Sequence, residues 1–313
     1  MPNRKTIGQQ RIILEPGKLW ASITQRTQQA LQCGALQSIA TEYEFVEHDG
    51  VHFLVRILAN LVRKDQAKQE QDKKKAISSK AFNPFMPYET DLFVMDLSNT
   101  HLCLLNKFNV VDHHILIITR AFEAQDTWLT LKDFEALEIC LAEVDGMAFY
   151  NGGKTAGASQ KHKHLQLIPL PMTSEGARIP IEPLIESAQF HGLVGEIPDL
   201  PFTHAIARLD AVWSNYPLTA AEGMLEIYRT LLRTVGLPDP LNRYQGKQSN
   251  AYNLIATRQW MLVVPRSQES YQEISVNSLG FAGSLLVRNI EQMQLLKDIG
   301  PMNLLKSVAL PID

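Results

Sequence analysis

Residues 157–171 read GASQKHKHLQLIPLP, and the run NGGKTAG (151–157) leads into them. In an extended chain, side chains at i, i+2 and i+4 share a face, so His162, His164 and Gln166 point together while Lys163, Leu165 and Leu167 point away. The alternation predicts a strand over 161–168 that presents one hydrogen-bonding face. A neutral imidazole near pH 7 carries a lone pair on one ring nitrogen and a donor on the other, which makes it a competent nucleophile toward phosphorus. Gln166 can donate to a phosphate oxygen without adding a second titrating group.

The preceding loop has the composition an anion needs. Gly152, Gly153 and Gly157 let the backbone approach a ligand and turn its amides toward it, and Ser159 and Gln160 add side-chain donors. Charge building on non-bridging phosphate oxygens would meet donors already in place. Taken alone, His-x-His on a strand first suggests structural histidines, with a zinc pair the next reading. A metal site would need further ligands nearby, and His48, His52, His101, His113, His114, His191 and His204 form no ligand motif, so none is expected.

The chain has 313 residues, 45% hydrophobic and 20% charged, the balance of a folded enzyme-sized protein. A net charge of −3 argues against a nucleic-acid partner. No run approaches the roughly 18 apolar residues of a membrane span. Cys33, Cys103 and Cys140 are odd in number and widely spaced, so neither a disulfide framework nor a cysteine zinc site is expected and a cytoplasmic setting fits.

Outward from the motif, helical spacing covers 18–33 with Gly34 as its stop, and two β-rich runs flank Asp49-Gly50 as a hairpin. Residues 64–80 hold almost no apolar side chains and read as a solvated, charged insertion. Short apolar runs at 92–97, 101–105 and 114–119 predict strands, with turn chemistry at Ser98-Asn99-Thr100. Thr130 with Asp133 predicts a capping box for a helix through Val144, and Thr219 with Glu222 a second one. AYNLIAT (251–257) and WMLVVPR (260–266) look like paired strands, followed by a last helix around 284–297. The order lacks a regular βαβ rhythm, so the expected class is α+β with a largely antiparallel sheet. No internal repeat is evident.

The combined pattern of glycine loop, Ser-Gln, His-x-His-x-Gln, Pro169 and Pro171 resembles the nucleotidyl-transferring branch of the histidine-triad superfamily, in which Gln replaces the last histidine. Lys163 between the histidines is closer to the ATP adenylyltransferases, or diadenosine tetraphosphate phosphorylases, than to the uridylyltransferases. The stretches GALQSIATEYEFVEHDGVHFLVRI, NPFMPYETDLFV, LLNKFNVVDHHILIITR and YNLIATRQWMLVVPRS look like the same family. The resemblance implies a histidine-triad-like core over 1–190, with the insertion near 64–80, and a C-terminal portion over 191–313 packed on it.

It further implies that His164 attacks the α-phosphorus of a dinucleoside polyphosphate to form an adenylyl-histidine, which phosphate then resolves to ADP. His162 would orient the nucleophile and Gln166 would hold the transferring oxygens. Lys64, Asn106, Asn151, Gly157, Ser159 and Gln160 would bind substrate, Asn106 at the ribose hydroxyls and Asn151 and Lys64 at phosphates. Lys247, Arg258 and Arg266 are further cation candidates, and Phe93 a candidate for the adenine pocket. The implied partners are nucleotides: diadenosine polyphosphates, ATP, ADP and phosphate. The implied cofactor is Mg²⁺ or a similar divalent cation that travels with the polyphosphate without a protein cage. Hydrolysis of the same substrates, adenylyl transfer from adenosine phosphosulfate, and non-catalytic sensing of a dinucleotide remain open alternatives.

Overall fold

The computed structural model describes residue 15 and residues 17–58, 83–209, 220–238, 248 and 250–312. Helix α1, Lys18–Gln32, buries Leu19, Ile23, Thr27 and Ala30 along one stripe, and Gly34 leaves it at φ 76°. Strands β1 (Thr41–His48) and β2 (Val51–Leu58) form the expected hairpin, with Asp49 and Gly50 both at positive φ. Three short strands follow: β3 (Phe93–Asp96), β4 (His101–Leu105) and β5 (Ile115–Thr119). Helix α2, Leu131–Glu143, opens on the reciprocal capping box of Thr130 and Asp133. The motif then lies across β6 (Gly146–Gly152) and β7 (His164–Pro169).

Beyond the motif come α3 (Glu182–Ile185), β8 (Gln189–His191), β9 (Val194–Glu196) and β10 (Ala205–Arg208). Helix α4 (Ala220–Thr234) precedes β11 (Tyr252–Ala256) and β12 (Trp260–Pro265). The chain closes with β13 (Ser270–Tyr271), β14 (Ile274–Ser275), α5 (Ser278–Phe281), β15 (Ser284–Val287), α6 (Ile290–Ile299) and α7 (Pro301–Val308). The expected last helix is therefore wrong in its first turn. Residues 284–287 pair parallel with β2, and the Asn289 side chain accepts from the Gln292 amide, so the helix starts only at Ile290. Residues 64–80 and the cap residue Thr219 lie outside the described residues.

A ten-stranded antiparallel sheet organises the molecule, in the order β3-β4-β5-β7-β6-β11-β12-β10-β9-β8. Contrary to the reading of the sequence, this order contains an internal repeat. Counted outward from the β6–β11 junction, β6-β7-β5-β4-β3 matches β11-β12-β10-β9-β8, with α2 and α4 at equivalent points of the chain. The registers match too. Ile115 pairs with Leu167 and Ile118 with His164 in the first half, Ala205 with Val263 and Arg208 with Trp260 in the second. Phe149 pairs with Gln166, and its counterpart Ile255 with Leu262. Phe149 and Ile255 pair with each other, so an approximate two-fold axis passes between them. The repeat escapes the sequence because the equivalent residues share hydrophobicity but few identities.

One sheet face packs on the helices. Ile115, Ile117, Leu165, Leu167, Tyr150 and Leu254 join α1, α2 and α4 in one core, and the Phe134 and Tyr228 rings of α2 and α4 stand 5.3 Å apart. On the opposite face Phe149, Ile168, Leu262 and Val264 are covered by the three-stranded sheet β1-β2-β15 and the C-terminal helices. Phe85, Leu102, Leu104, Leu116 and Ile118 form a third, smaller cluster beside the histidine motif. None of the described helices is long and apolar enough to cross a membrane, and the three cysteines are free thiols.

Candidate active site

Strand β7 begins at His164, three residues later than the alternation predicts. Residues 119–127 replace a sheet partner there: His162 makes an isolated bridge to Ala124, and the Gln125 side chain takes over from a strand. Gln125 Oε1 accepts the His164 amide at 2.8 Å, and its Nε2 donates to the carbonyls of His164 at 3.2 Å and Asn151 at 2.9 Å. The backbone of His164 is therefore clamped on both its polar groups. The shared face survives the shortened strand, because the Phe85 ring packs 5.2 Å from His164 and 5.9 Å from His162.

Hydrogen bonds assign each imidazole a role. His164 Nδ1 lies 2.8 Å from the carbonyl oxygen of His162, which only accepts, so Nδ1 carries the proton and Nε2 the lone pair. No described residue takes that Nε2. His162 has both nitrogens engaged: Nε2 donates to the Thr119 carbonyl at 2.8 Å, and Nδ1 accepts from Asn83 at 2.8 Å. Neither ring nitrogen of His162 is left free. His114 accepts from Asn106 at Nδ1 (3.2 Å) and donates from Nε2 to Gln166 Oε1 (3.0 Å). With its oxygen occupied, Gln166 turns its amide N–H groups away as donors.

Burial keeps these rings neutral. It lowers the pKa of His164 to about 4, against the raising effect of its bond to the His162 carbonyl, and the nearby His162 ring lowers it further. Burial likewise brings His114 to about 4 and lowers His162. At neutral pH the three imidazoles are uncharged, the state in which a ring nitrogen can act as a nucleophile.

The residue between the histidines has an opposite environment. Lys163 points away as predicted, yet it is wholly buried, donating to Trp128 O (2.9 Å), Asp133 Oδ2 (3.1 Å) and Glu123 Oε2 (3.1 Å). Asp133, also buried, interacts with His101 Nε2 at 3.2 Å and with the Thr130 amide. Its carboxyl sits near pKa 2 because the His101 and Lys163 interactions outweigh burial. The ion pair ties the motif to the cap of α2.

The remaining candidates are placed unevenly. Asn106 follows β4 and joins Gln166 through His114. Asn151 is buried, and its Oδ1 accepts from Asn253 Nδ2, the Ser278 amide and the Ser278 hydroxyl. This knot joins the two halves of the sheet and leaves only the Asn151 amide nitrogen for a ligand. Gly157 stands at φ 87°, and a Cβ there would meet Val276 O at 2.8 Å, so glycine lets the loop lie against that turn. Ser159 is exposed and Gln160 half-buried in the loop that enters the motif. Lys64 and Lys247 lie outside the described residues.

Two of the arginines are structural. Arg266 is buried and donates to Asn253 Oδ1 and to the carbonyls of Val308, Val276 and Gln268. Arg258 donates to the Leu141 and Ala142 carbonyls at the end of α2. Phe93 stacks on Tyr88 at 5.2 Å and packs against the Phe85 cluster. The reading of the sequence missed Asn83, Phe85, His114, Thr119 and Gln125 as partners of the motif. Only the pair of adjacent histidines His113-His114 in an otherwise apolar stretch hinted at one of them. Among the described residues no cluster of His, Cys, Asp and Glu fits a metal ion.

Comparison with known proteins places this arrangement. Residues 9–187 match the family model of the Ap4A phosphorylase N-terminal domain and residues 198–311 that of the ATP adenylyltransferase C-terminal domain. The chain is 27% identical over 250 residues to diadenosine 5',5'''-P1,P4-tetraphosphate phosphorylase 2 of Saccharomyces cerevisiae, spanning 71% of this chain and 74% of that protein. It is 29% identical over 204 residues to Protein APA1 of the same yeast, 60% of this chain and 61% of that one. The fold matches the crystal structure of yeast Ap4A phosphorylase Apa2 with a TM-score of 0.75 at 22% identity, over 96% of both chains. Apa2 has also been solved with AMP and with Ap4A; the latter structure matches with a TM-score of 0.74 at 21% identity, over 96% of this chain and 99% of that one. The chain belongs to the Ap4A phosphorylase and ATP adenylyltransferase family.

Proposed function

We propose that this protein is a nucleotidyltransferase that splits diadenosine tetraphosphate with inorganic phosphate into ADP and ATP, reversibly, through an adenylyl group on His164. The observation that carries the reading is the tautomer of His164, neutral, with its Nε2 lone pair unclaimed by any described residue. Nε2 attacks the α-phosphorus, a P–N bond forms, and the P–O bond to the leaving ATP breaks. ATP leaves as a stable anion and needs no strong acid. An oxygen of phosphate then attacks the same phosphorus, the P–N bond breaks, and ADP departs with neutral His164 restored.

In this reading the Gln166 amide donates to the non-bridging oxygens at both steps, aimed by His114. Asn106 takes the ribose hydroxyls, while Asn151 Nδ2, Lys64 and the loop from Gly157 through Ser159 and Gln160 serve the phosphates. A divalent cation would accompany the polyphosphate, held by the substrate oxygens and not by a protein cage. Incubation with diadenosine tetraphosphate, with and without phosphate, tests the reading. ADP formed only with phosphate supports it; AMP formed without phosphate makes the protein a hydrolase instead. Binding with neither product would leave a sensor. A panel that includes adenosine phosphosulfate separates the remaining alternative.

A further inference from the structure

The approximate two-fold axis carries the candidate active site onto a second place on the same sheet face. His164 falls on Trp260, Gln166 on Leu262, Ile118 on Arg208 and Phe93 on Phe190. A cavity of about 280 Å³ lies there, lined by Ile185, Glu186, Phe190, Arg208, Gln259 and Trp260. An indole has no ring-nitrogen lone pair to attack with, and leucine has no donor for an oxyanion. The counterparts of His164 and Gln166 therefore cannot form or support an adenylyl intermediate.

It nevertheless keeps groups that recognise a ligand. The Arg208 guanidinium stacks 4.3 Å over the Phe190 ring, is exposed, and pairs with no carboxylate among the described residues. A guanidinium held in this way keeps its N–H edges for an oxyanion and its outer face for a planar ring. Trp260 is a second aromatic surface of the lining, only 6% exposed. Glu186 offers acceptors for exocyclic N–H or ribose O–H groups, and Gln259 both acceptor and donors. At about 280 Å³ the space is at the small end of ligand sites, the scale of one nucleotide and not of a dinucleoside polyphosphate.

We propose that this cavity is a second, non-reacting site that takes a nucleoside monophosphate. Equilibrium dialysis of the whole chain against AMP, to about 1 mM, counts the sites. The expected result is one AMP fewer per chain in Arg208→Glu than in the unmodified protein, with kcat and KM for diadenosine tetraphosphate unchanged. Part of the AMP-dependent change in tryptophan fluorescence should vanish in both Arg208→Glu and Trp260→Phe. The difference of one AMP should persist in a His164→Ala background, which removes the transfer proposed above but not this site. Equal AMP counts with and without Arg208→Glu overturn the proposal. So does a lost AMP accompanied by lost turnover, which would trace that ligand to the reacting site.

Discussion

His164 Nδ1 and the carbonyl oxygen of His162 stand 2.8 Å apart, two residues along one chain. The motif thus sets the tautomer of His164 from within, and the outer partners only hold the two residues in register. Asn83 and Thr119 grip the His162 ring, and Gln125 grips the His164 backbone.

The two histidines should therefore fail differently. His164→Ala removes the proposed nucleophile, and phosphorolysis should fall by about 10³-fold or more, with no adenylyl adduct detectable by mass spectrometry. His162→Asn keeps the backbone carbonyl that locks His164 but loosens the ring contacts. The adduct should still form, with kcat lower by about 10²-fold. Full turnover in His164→Ala would remove the mechanism.

Removal of the amide donor tests the role of Gln166. Gln166→Leu should lower kcat by about 10²- to 10³-fold, the loss associated with one preorganised oxyanion donor. His114→Phe leaves that amide in place and frees it to rotate, so kcat should fall by a smaller factor with KM for the dinucleotide raised through Asn106. Steady-state kinetics of both variants separates donation from aiming.

Activity and stability should respond to acid at different pH values. With His164 at about 4, the nucleophile stays deprotonated well below the ordinary imidazole value, so kcat should hold from neutral pH down to about 5 and fall with a midpoint near 4. Stability erodes earlier. The unfolded imidazoles take up protons below their ordinary 6.5, whereas folded His164 and His114 resist until about 4. The unfolded state binds more protons between those values, and unfolding free energy drops as pH falls through that window by up to about 1.4 kcal/mol per unit for each ring. Urea titrations at pH 7, 6 and 5 measure the slope. A flat profile would mean that the rings are hydrated.

Lys163→Met should cost more stability than an ordinary core substitution. It leaves the Asp133 carboxylate buried beside His101 without its lysine, an uncompensated charge worth about 3–5 kcal/mol. Chemical denaturation reads the loss. Because Asp133 sits near 2, the pair persists wherever the enzyme is active, and the penalty should shrink only as pH falls from the ordinary carboxylate range toward 2.

The primary structure alone determined whatever lies within a few residues of its cause. Asp49-Gly50 made the hairpin, Thr130 and Asp133 opened α2, and Gly34 ended α1. The 162-164-166 alternation put two imidazoles and an amide on one face, and the family was readable from that motif and its flanks. Tertiary structure decided the rest. Gln125 reaches His164 across 39 residues, His114 reaches Gln166 across 52, and Arg266 and Ser278 converge with Asn253 and Asn151 at the seam of the sheet. The internal repeat belongs to this second class, since Trp260 becomes the counterpart of His164 only through strand order and register. The physical reason is one of range. Caps, turns and periodicity are local backbone preferences, whereas a buried polar partner is selected by whichever distant segment packs close enough to satisfy it.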